Sequence, residues 1–137
     1  MSIKELLHYT RNLNILYVED EEISQELYAS IFGDLFLNVD IASDGVEALK
    51  YFSLNKYDMI ITDVCMPRMD GVELCKKILK SNPEQLVIIM SAYNESEQLN
   101  DISDLGVSSI LLKPIQNDDL MSTLEKVSKI AFSKQNK

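Results

Sequence analysis

Short apolar runs alternate along this chain with longer stretches in which apolar residues recur every three or four positions. The continuous runs have the length of strands and occupy residues 15–18, 59–61, 86–90 and 110–112, while apolar residues alternate with polar ones over residues 37–41, as in a strand exposed on one side. Each is followed by a stretch with helical spacing, such as the one that contains Val72, Cys75 and Leu79. Five strand signals that alternate with five helix signals predict a parallel sheet, because parallel strands need helical crossovers that cover both faces.

Crossovers between parallel strands are right-handed, so the predicted fold is a doubly wound α/β domain. We expect a flavodoxin-like (βα)5 three-layer sandwich with a five-stranded parallel sheet. A chain of 137 residues has room for about one domain, which we assign to residues 14–131. Residues 1–13 are an N-terminal extension. Ser2 and Glu5 fit a capping box, so the extension could form a short helix, and a frayed segment is an equally good interpretation. Residues 132–137 are a short tail or a truncated linker.

The charge of the chain excludes several kinds of partner. It has 13 Lys and Arg against 22 Asp and Glu, a net charge of −9. Nucleic acids and anionic membranes both require a basic surface, so we expect this chain to bind neither directly. No apolar run approaches the roughly 18 residues of a membrane span. The two cysteines, Cys65 and Cys75, are too few for a disulfide scaffold and predict reduced thiols in a cytoplasmic protein.

Polar side chains follow four of the five predicted strands, at the point where each strand ends. Glu19 and Asp20 follow the first strand, Asp63 the third, Ser91 the fourth and Lys113 the fifth. In open α/β sheets, ligands bind beyond the carboxyl ends of the strands. We therefore expect three carboxylates, one hydroxyl and one ammonium group to converge at one edge of the sheet.

Crowded carboxylates repel one another, and a hard divalent cation relieves that repulsion. Oxygen ligands without a His or Cys cluster favour Mg²⁺, which binds through a few protein oxygens and keeps several waters. Lys113 could bind a phosphoryl oxygen, and the Ser91 hydroxyl could donate a hydrogen bond to another. Such a site suits phosphoryl transfer to a carboxylate, with Asp63 as the nucleophile.

These residues resemble the receiver domains of two-component response regulators over most of the chain, roughly residues 14–130. The resemblance depends on four short motifs in order: Val18-Glu19-Asp20, "DVCMPRMDG" over residues 63–71, "SAY" over residues 91–93, and Lys113-Pro114. Each motif is weak alone. Together, on the predicted strands, they are specific.

The resemblance implies a metal site with defined ligands. Asp20 and Asp63 would hold Mg²⁺ directly, the main-chain carbonyl of Cys65 would be a third protein ligand, and Glu19 would act through water. Glu21 and Glu22, by contrast, are best explained as acidic residues in a first helical turn, where the helix dipole favours negative charge.

The resemblance also implies a switch. Asp63 would accept a phosphoryl group from a sensor histidine kinase or a phosphotransfer protein, Ser91 would be the switch hydroxyl, and Lys113 the counter-charge of the phosphoryl group. The Lys113–Pro114 peptide bond would be cis. Such a domain is not an enzyme beyond self-catalysed phosphorylation and dephosphorylation.

Its expected partners are the phosphodonor and an output domain or effector protein. The surface that responds would be the helix after the fourth strand, the fifth strand and the last helix. A homodimer through the same surface is possible.

The chain departs from the family at two places. Ile110 stands where the family commonly has an aromatic residue that moves inward on activation, which leaves the Ser91 shift as the expected switch. Cys65 and Tyr93 occupy the positions whose side chains border the phosphoryl group in this family. Tyr93 is bulky and has no acid or carboxamide to orient water, so we expect it to slow dephosphorylation.

Three other classes of protein fit this sequence less well. A phosphorylation-independent interaction module would explain Ile110 but not the complete set of acids, Ser91 and Lys113. A hydrolase of the haloacid-dehalogenase type also uses an Asp nucleophile after a strand, but it needs a second acid where Cys65 stands. A nucleotide-binding protein would need a Walker loop or a GxGxxG run, and the sequence has neither. Only about seven residues follow the last predicted helix, so we expect a stand-alone receiver or a fragment of a longer regulator.

Overall fold

Five parallel strands form one sheet in the computed structural model, which describes residues 2–92, 102 and 104–136. The strand order is β2-β1-β3-β4-β5. The strands are β1 (Asn14–Val18), β2 (Asn38–Ala42), β3 (Met59–Asp63), β4 (Val87–Ala92) and β5 (Ser109–Lys113). The predicted doubly wound α/β fold is therefore confirmed.

The described residues contain five α-helices. They are α1 (Ile3–Thr10), α2 (Glu22–Leu35), α3 (Gly45–Leu54), α4 (Gly71–Ser81) and α5 (Asn117–Gln135). The helix predicted after β4 lies mostly outside the described residues. Ile102, which belongs to that stretch and is described, is buried. Gly106 has a φ of +85°, the left-handed conformation with which glycine commonly ends a helix. No described helix is long and apolar enough to cross a bilayer.

Side chains of each strand alternate between two hydrophobic cores on opposite faces of the sheet. In β1, Ile15 and Tyr17 face a core with residues of α2 and α5, and Leu16 and Val18 face a core with residues of α3 and α4. All five residues of β3 are buried. The alternation explains why the central strands are continuously apolar: both of their faces are covered.

The N-terminal extension forms α1. The Ser2 Oγ accepts a hydrogen bond from the backbone N–H of Glu5 at 3.1 Å, which caps the helix. Leu6 is buried in the same core as α2 and α5, and the Tyr9 ring meets Phe132 edge to face at 5.4 Å. The domain boundaries at residues 13 and 131 stay predictions, although residues 132–135 are helical in α5.

Helix α2 differs in detail from what the spacing of its apolar residues indicates. Gly33 is of the residue type that most often ends a helix, but its φ is not positive and α2 continues to Leu35. Ile23 and Leu27, which share helical spacing, are 77% and 56% exposed. The buried residues of α2 are instead Phe32 and Leu35.

Candidate functional site

The strand order places the carboxyl ends of β1, β3, β4 and β5 side by side. Asp63 ends β3 and pairs with Met90 of β4, so Ser91 lies one residue further along the same edge. Lys113 ends β5 and pairs with Ala92. The register of the strands thus brings Asp63, Ser91 and Lys113 to the same edge of the sheet, as the sequence predicts.

Three carboxylates meet at this edge. One oxygen from each of Glu19, Asp20 and Asp63 lies within 4.8 Å of the other two. Glu19 and Asp63 are buried, whereas Asp20 is exposed. Glu19 is held in place by its backbone N–H, which donates to the Ala42 carbonyl at 3.0 Å and extends the pairing of β1 with β2.

Lys113 supplies the opposite charge. Its Nζ lies 2.9 Å from Oδ1 of Asp63 and 3.7 Å from Oε1 of Glu19. The same Oδ1 accepts the backbone N–H of Val64 at 2.9 Å. Two donors on one carboxylate oxygen fix the orientation of Asp63, and the ammonium group partly offsets the repulsion between the acids.

The arrangement fits a hard cation. Oε2 of Glu19 accepts the backbone N–H of Glu21 at 3.3 Å, but Oε1 is buried without a hydrogen-bond partner among the described residues, and the Lys113 ammonium, at 3.7 Å, is too far to donate one. A buried carboxylate oxygen without a donor is unfavourable unless a cation or water satisfies it. The three carboxylates offer only oxygen ligands, which suits Mg²⁺.

The environment of Glu19 changes its acidity. Burial, and then the neighbouring Asp63 carboxylate, raise the pKa of Glu19 to about 7, while Lys113 acts in the opposite direction. Without metal, burial and the Asp63 carboxylate therefore favour the protonated form of Glu19, and a cation would compete with that proton.

This shift makes the stability of the metal-free protein depend on pH. Because the pKa is higher in the folded than in the unfolded state, the stabilising contribution is present at low pH and is lost as pH rises from about 4.5 to above 7. Relative to Glu19→Gln, the free energy of unfolding of the parent should fall by about 2–3 kcal/mol across that window. Urea denaturation in EDTA at several pH values measures it. A difference that is independent of pH would contradict the argument.

Ser91 is buried, and its hydroxyl donates to the Ala92 carbonyl at 3.3 Å. Its role as the switch hydroxyl stays a prediction, as do the roles of the other site residues. The predicted cis peptide between Lys113 and Pro114 is confirmed. Tyr93 lies outside the described residues. Cys75 is buried in the core, and burial raises the pKa of its thiol to about 12.

The loop after Asp63 closes back on the strand that carries it. The Gly71 N–H donates to the Val64 carbonyl at 2.7 Å. A Cβ on Gly71 would lie only 2.2 Å from the Asp63 carbonyl oxygen, so this approach requires glycine. The motif over residues 63–71 gives no signal for this contact, nor does the sequence indicate the pair between Arg68 and Asp44, which are 24 positions apart.

An open cleft of about 910 Å³ lies at the opposite edge of the sheet, among residues that precede the strands, such as Tyr57 and Gln85. It contains none of the predicted site residues. Buried Gln85 uses its amide to donate to the Tyr57 carbonyl at 3.1 Å, a structural contact. The charged groups at the carboxyl edge, and not the size of a cavity, therefore identify the candidate site.

A family model for the response regulator receiver domain matches residues 15–125. Among curated proteins, the transcriptional regulatory protein ZraR of Escherichia coli strain K12 is 33% identical over 115 residues, which are 84% of this chain and 26% of ZraR. This chain thus spans about a quarter of the length of that relative.

Solved structures are similar over nearly their whole length. The N-terminal domain of an uncharacterized protein from Wolinella succinogenes has 37% sequence identity and a TM-score of 0.81, covering 89% of this chain and 98% of that one. The receiver domain of Francisella response regulator 1452 has 30% identity and a TM-score of 0.78, covering 87% and 98%.

Proposed function

Because this chain belongs to the response regulator receiver domain family, we propose that it is a phosphorylation-controlled switch in which Asp63 accepts the phosphoryl group. The observation that carries the proposal is the contact of Lys113 with the buried Asp63, 2.9 Å from Nζ to Oδ1, beside the acids Glu19 and Asp20. An ammonium group, a carboxylate nucleophile and a cation site are the components that phosphoryl transfer needs.

In the proposed reaction, a carboxylate oxygen of Asp63 attacks the phosphorus of a phosphohistidine on a sensor histidine kinase or phosphotransfer protein. The new P–O bond forms as the P–N bond breaks, and the imidazole of the donor keeps the electron pair. Asp63 is fixed for this attack by the Val64 N–H and by Lys113, which remains beside the phosphoryl oxygens as a counter-charge.

Asp20, Asp63 and the main-chain carbonyl of Cys65 would hold Mg²⁺, and Glu19 would contact it through water. When bound, the ion neutralises negative charge on the phosphoryl oxygens. The residues fit this role because Glu19 has a buried oxygen that accepts no hydrogen bond among the described residues, and Asp20 is open to solvent.

Phosphorylation adds negative charge at the edge where β4 and β5 end. Ser91 and Lys113 stand on those strands, so a shift of their side chains toward the phosphoryl group would move β5 and the segment after β4. Ile110 on β5 is half-buried against the core on the α3 and α4 side. We propose that the altered surface engages an output domain or effector, with a homodimer as one form, and that the protein catalyses no reaction beyond its own phosphorylation and dephosphorylation.

Acetyl phosphate tests the function without a partner protein. We expect intact-mass spectrometry to find one added phosphoryl group in the presence of Mg²⁺ and none in EDTA, because the acids need the cation to accept further negative charge. A protein that neither binds Mg²⁺ nor gains a phosphoryl group would instead be a phosphorylation-independent interaction module.

A protein phosphodonor must reach Asp63 across the rim of the site, and Ile23 stands at that rim. It lies three positions after Asp20, near the start of α2, and is 77% exposed. Leu27, one helical turn further along, is 56% exposed, so the two side chains form an apolar surface beside the site, and adjoining exposed apolar side chains of this kind mark contact surfaces. We expect Ile23→Asp to slow transfer from a phosphohistidine protein by about tenfold or more, since a buried interface contact is worth more than 1 kcal/mol, and to leave phosphorylation by acetyl phosphate unchanged.

Leu54→Asp is the matched control. Leu54 is 72% exposed but ends α3, at the opposite edge of the sheet. Transfer rates from a panel of purified phosphohistidine proteins, measured with radiolabelled phosphate, compare the two variants. Equal rates for Ile23→Asp and Leu54→Asp would contradict docking at this rim.

A further inference from the structure

The loop between β3 and α4 contains a strained residue that is not glycine. Arg68 has a φ of +66°, in the left-handed region that L residues rarely adopt. The Met69 N–H donates to the Pro67 carbonyl at 2.7 Å, which closes a three-residue turn around Arg68. Turns of this size with a positive φ at the centre are rare and strained, so surrounding contacts must hold the loop in this form.

Asp44 supplies such a contact. Its Oδ2 accepts hydrogen bonds from Nε of Arg68, at 2.9 Å, and from a terminal guanidinium nitrogen. Its Oδ1 accepts the backbone N–H of Glu47 at 2.8 Å and so caps α3. Burial alone would raise the pKa of Asp44, but the hydrogen bonds from Glu47 and Arg68 outweigh it and lower that pKa. The carboxylate is therefore charged and anchored to α3 at neutral pH.

A second contact joins the same two segments. The Gly45 N–H donates to the Met69 carbonyl at 3.1 Å, and a Cβ on Gly45 would lie 2.5 Å from that oxygen. The loop thus sits directly on the first residue of α3, and only glycine permits the approach. The ion pair of Arg68 with Asp44 and the hydrogen bond from Gly45 to Met69 therefore both hold the loop against the start of α3.

We propose that Arg68 is a positioning residue, whose pair with Asp44 holds the loop of residues 64–70 so that the Cys65 main-chain carbonyl is presented to Mg²⁺. The inference depends on the proposed function, since it concerns the same metal site. Met66 and Met69 of this loop pack against the core on the α3 and α4 side, whereas the turn at Pro67 and Arg68 is exposed and is not held by burial. Backbone hydrogen bonds hold the loop at Val64 and Gly71 and at Met69, and the ion pair with Asp44 holds Arg68 between them.

The pair differs from an ordinary surface ion pair, which contributes little to stability. The Asp44 side chain is only 9% exposed, and its Oδ1 accepts the Glu47 N–H independently of Arg68, so the carboxylate is already ordered before Arg68 binds. Two guanidinium nitrogens meet one carboxylate oxygen, a geometry that a lysine could not reproduce. We therefore expect its main effect on the geometry of the loop and hence on metal affinity.

Arg68→Asn and Asp44→Asn test the inference. Asn tolerates a positive φ, so Arg68→Asn removes the cation without adding strain. Asn also caps helices, so Asp44→Asn keeps the hydrogen bond to Glu47. We expect either substitution to weaken Mg²⁺ binding about tenfold in isothermal titration calorimetry. Residues that orient a metal ligand without contacting the metal typically have effects of this size. The double variant should bind no more weakly than the single variants, because both remove one interaction.

Arg11→Asn is the matched control, since it removes the same charge from an exposed arginine at the end of α1. Hydrogen exchange of the Gly45 and Met69 amides in metal-free protein reports the loop contact independently and should speed up about tenfold in Arg68→Asn.

Unchanged amide exchange would overturn the loop contact. Faster exchange with Mg²⁺ affinity within twofold of the parent would make Arg68 merely structural and overturn its positioning role. A parent protein that binds no Mg²⁺ would contradict the proposed function and the metal half of this inference, and the exchange data would still decide whether the ion pair holds the loop.

Discussion

Asp63→Asn should leave the protein folded and unable to take up a phosphoryl group from acetyl phosphate. An amide oxygen can still accept the Val64 N–H, so the backbone at the end of β3 keeps its hydrogen bond. The amide has neither the charge nor the nucleophilicity of the carboxylate, and it leaves Lys113 without its ion-pair partner on this residue. Phosphorylation should fall to the background of the reaction.

The same substitution has a second expected effect, on Glu19. The Asp63 carboxylate helps to raise the pKa of Glu19, so its removal should lower that pKa toward the ordinary value and relieve a like-charge repulsion. Thermal stability of Asp63→Asn at pH 8 without metal should therefore equal or exceed that of the parent. Asp34→Asn, which removes the same charge from an exposed site on α2, should be phosphorylated normally. Phosphorylation of Asp63→Asn at the parental rate would refute the assignment.

Gly71→Ala should destabilise the protein by about 3 kcal/mol or more, because its methyl group has no room. The atoms nearest to the added Cβ are backbone: the Asp63 carbonyl oxygen at 2.2 Å and the Val64 Cα at 3.0 Å. Backbone cannot turn aside as a flexible side chain does. Relief would require α4 to move away from β3 and would stretch the hydrogen bond from the Gly71 N–H to Val64.

Gly33→Ala is the matched control for that effect. No heavy atom lies within 4 Å of a Cβ on Gly33, and the residue is inside α2. Alanine favours helix over glycine by about 1 kcal/mol, so this variant should be more stable than the parent. Urea denaturation of both variants compares them. A Gly71→Ala protein with the midpoint of the parent would show that the loop can yield.

Most of the fold could be predicted because four of the five strands are short, continuous apolar runs in the sequence. Runs such as residues 59–61 are apolar on both faces, a pattern that a buried parallel strand requires and an exposed strand would not tolerate. Helix faces were less certain. Ile23 and Leu27 keep helical spacing yet face solvent, because spacing identifies a helix but does not say which of two apolar stripes meets the sheet.

The chemistry at the sheet edge was predictable for a related reason. Glu19, Asp63 and Lys113 each interrupt or follow an apolar run, and the topology of a parallel sheet alone brings such positions together. The pair of Arg68 with Asp44 was not predictable. Both residues lie in polar loops where charges are ordinary, and their meeting depends on the path of the loop and on the glycine at position 45.

The central claim is that Asp63 is the residue that carries the phosphoryl group. Borohydride reduces an acyl phosphate to an alcohol and so converts a phosphorylated aspartate to homoserine. The parent protein, treated with acetyl phosphate and Mg²⁺ and then with borohydride, can be digested and sequenced by mass spectrometry. We predict homoserine at position 63 and none in the sample prepared with EDTA. Homoserine at Asp20 or at any other aspartate, with position 63 unmodified, would contradict the account.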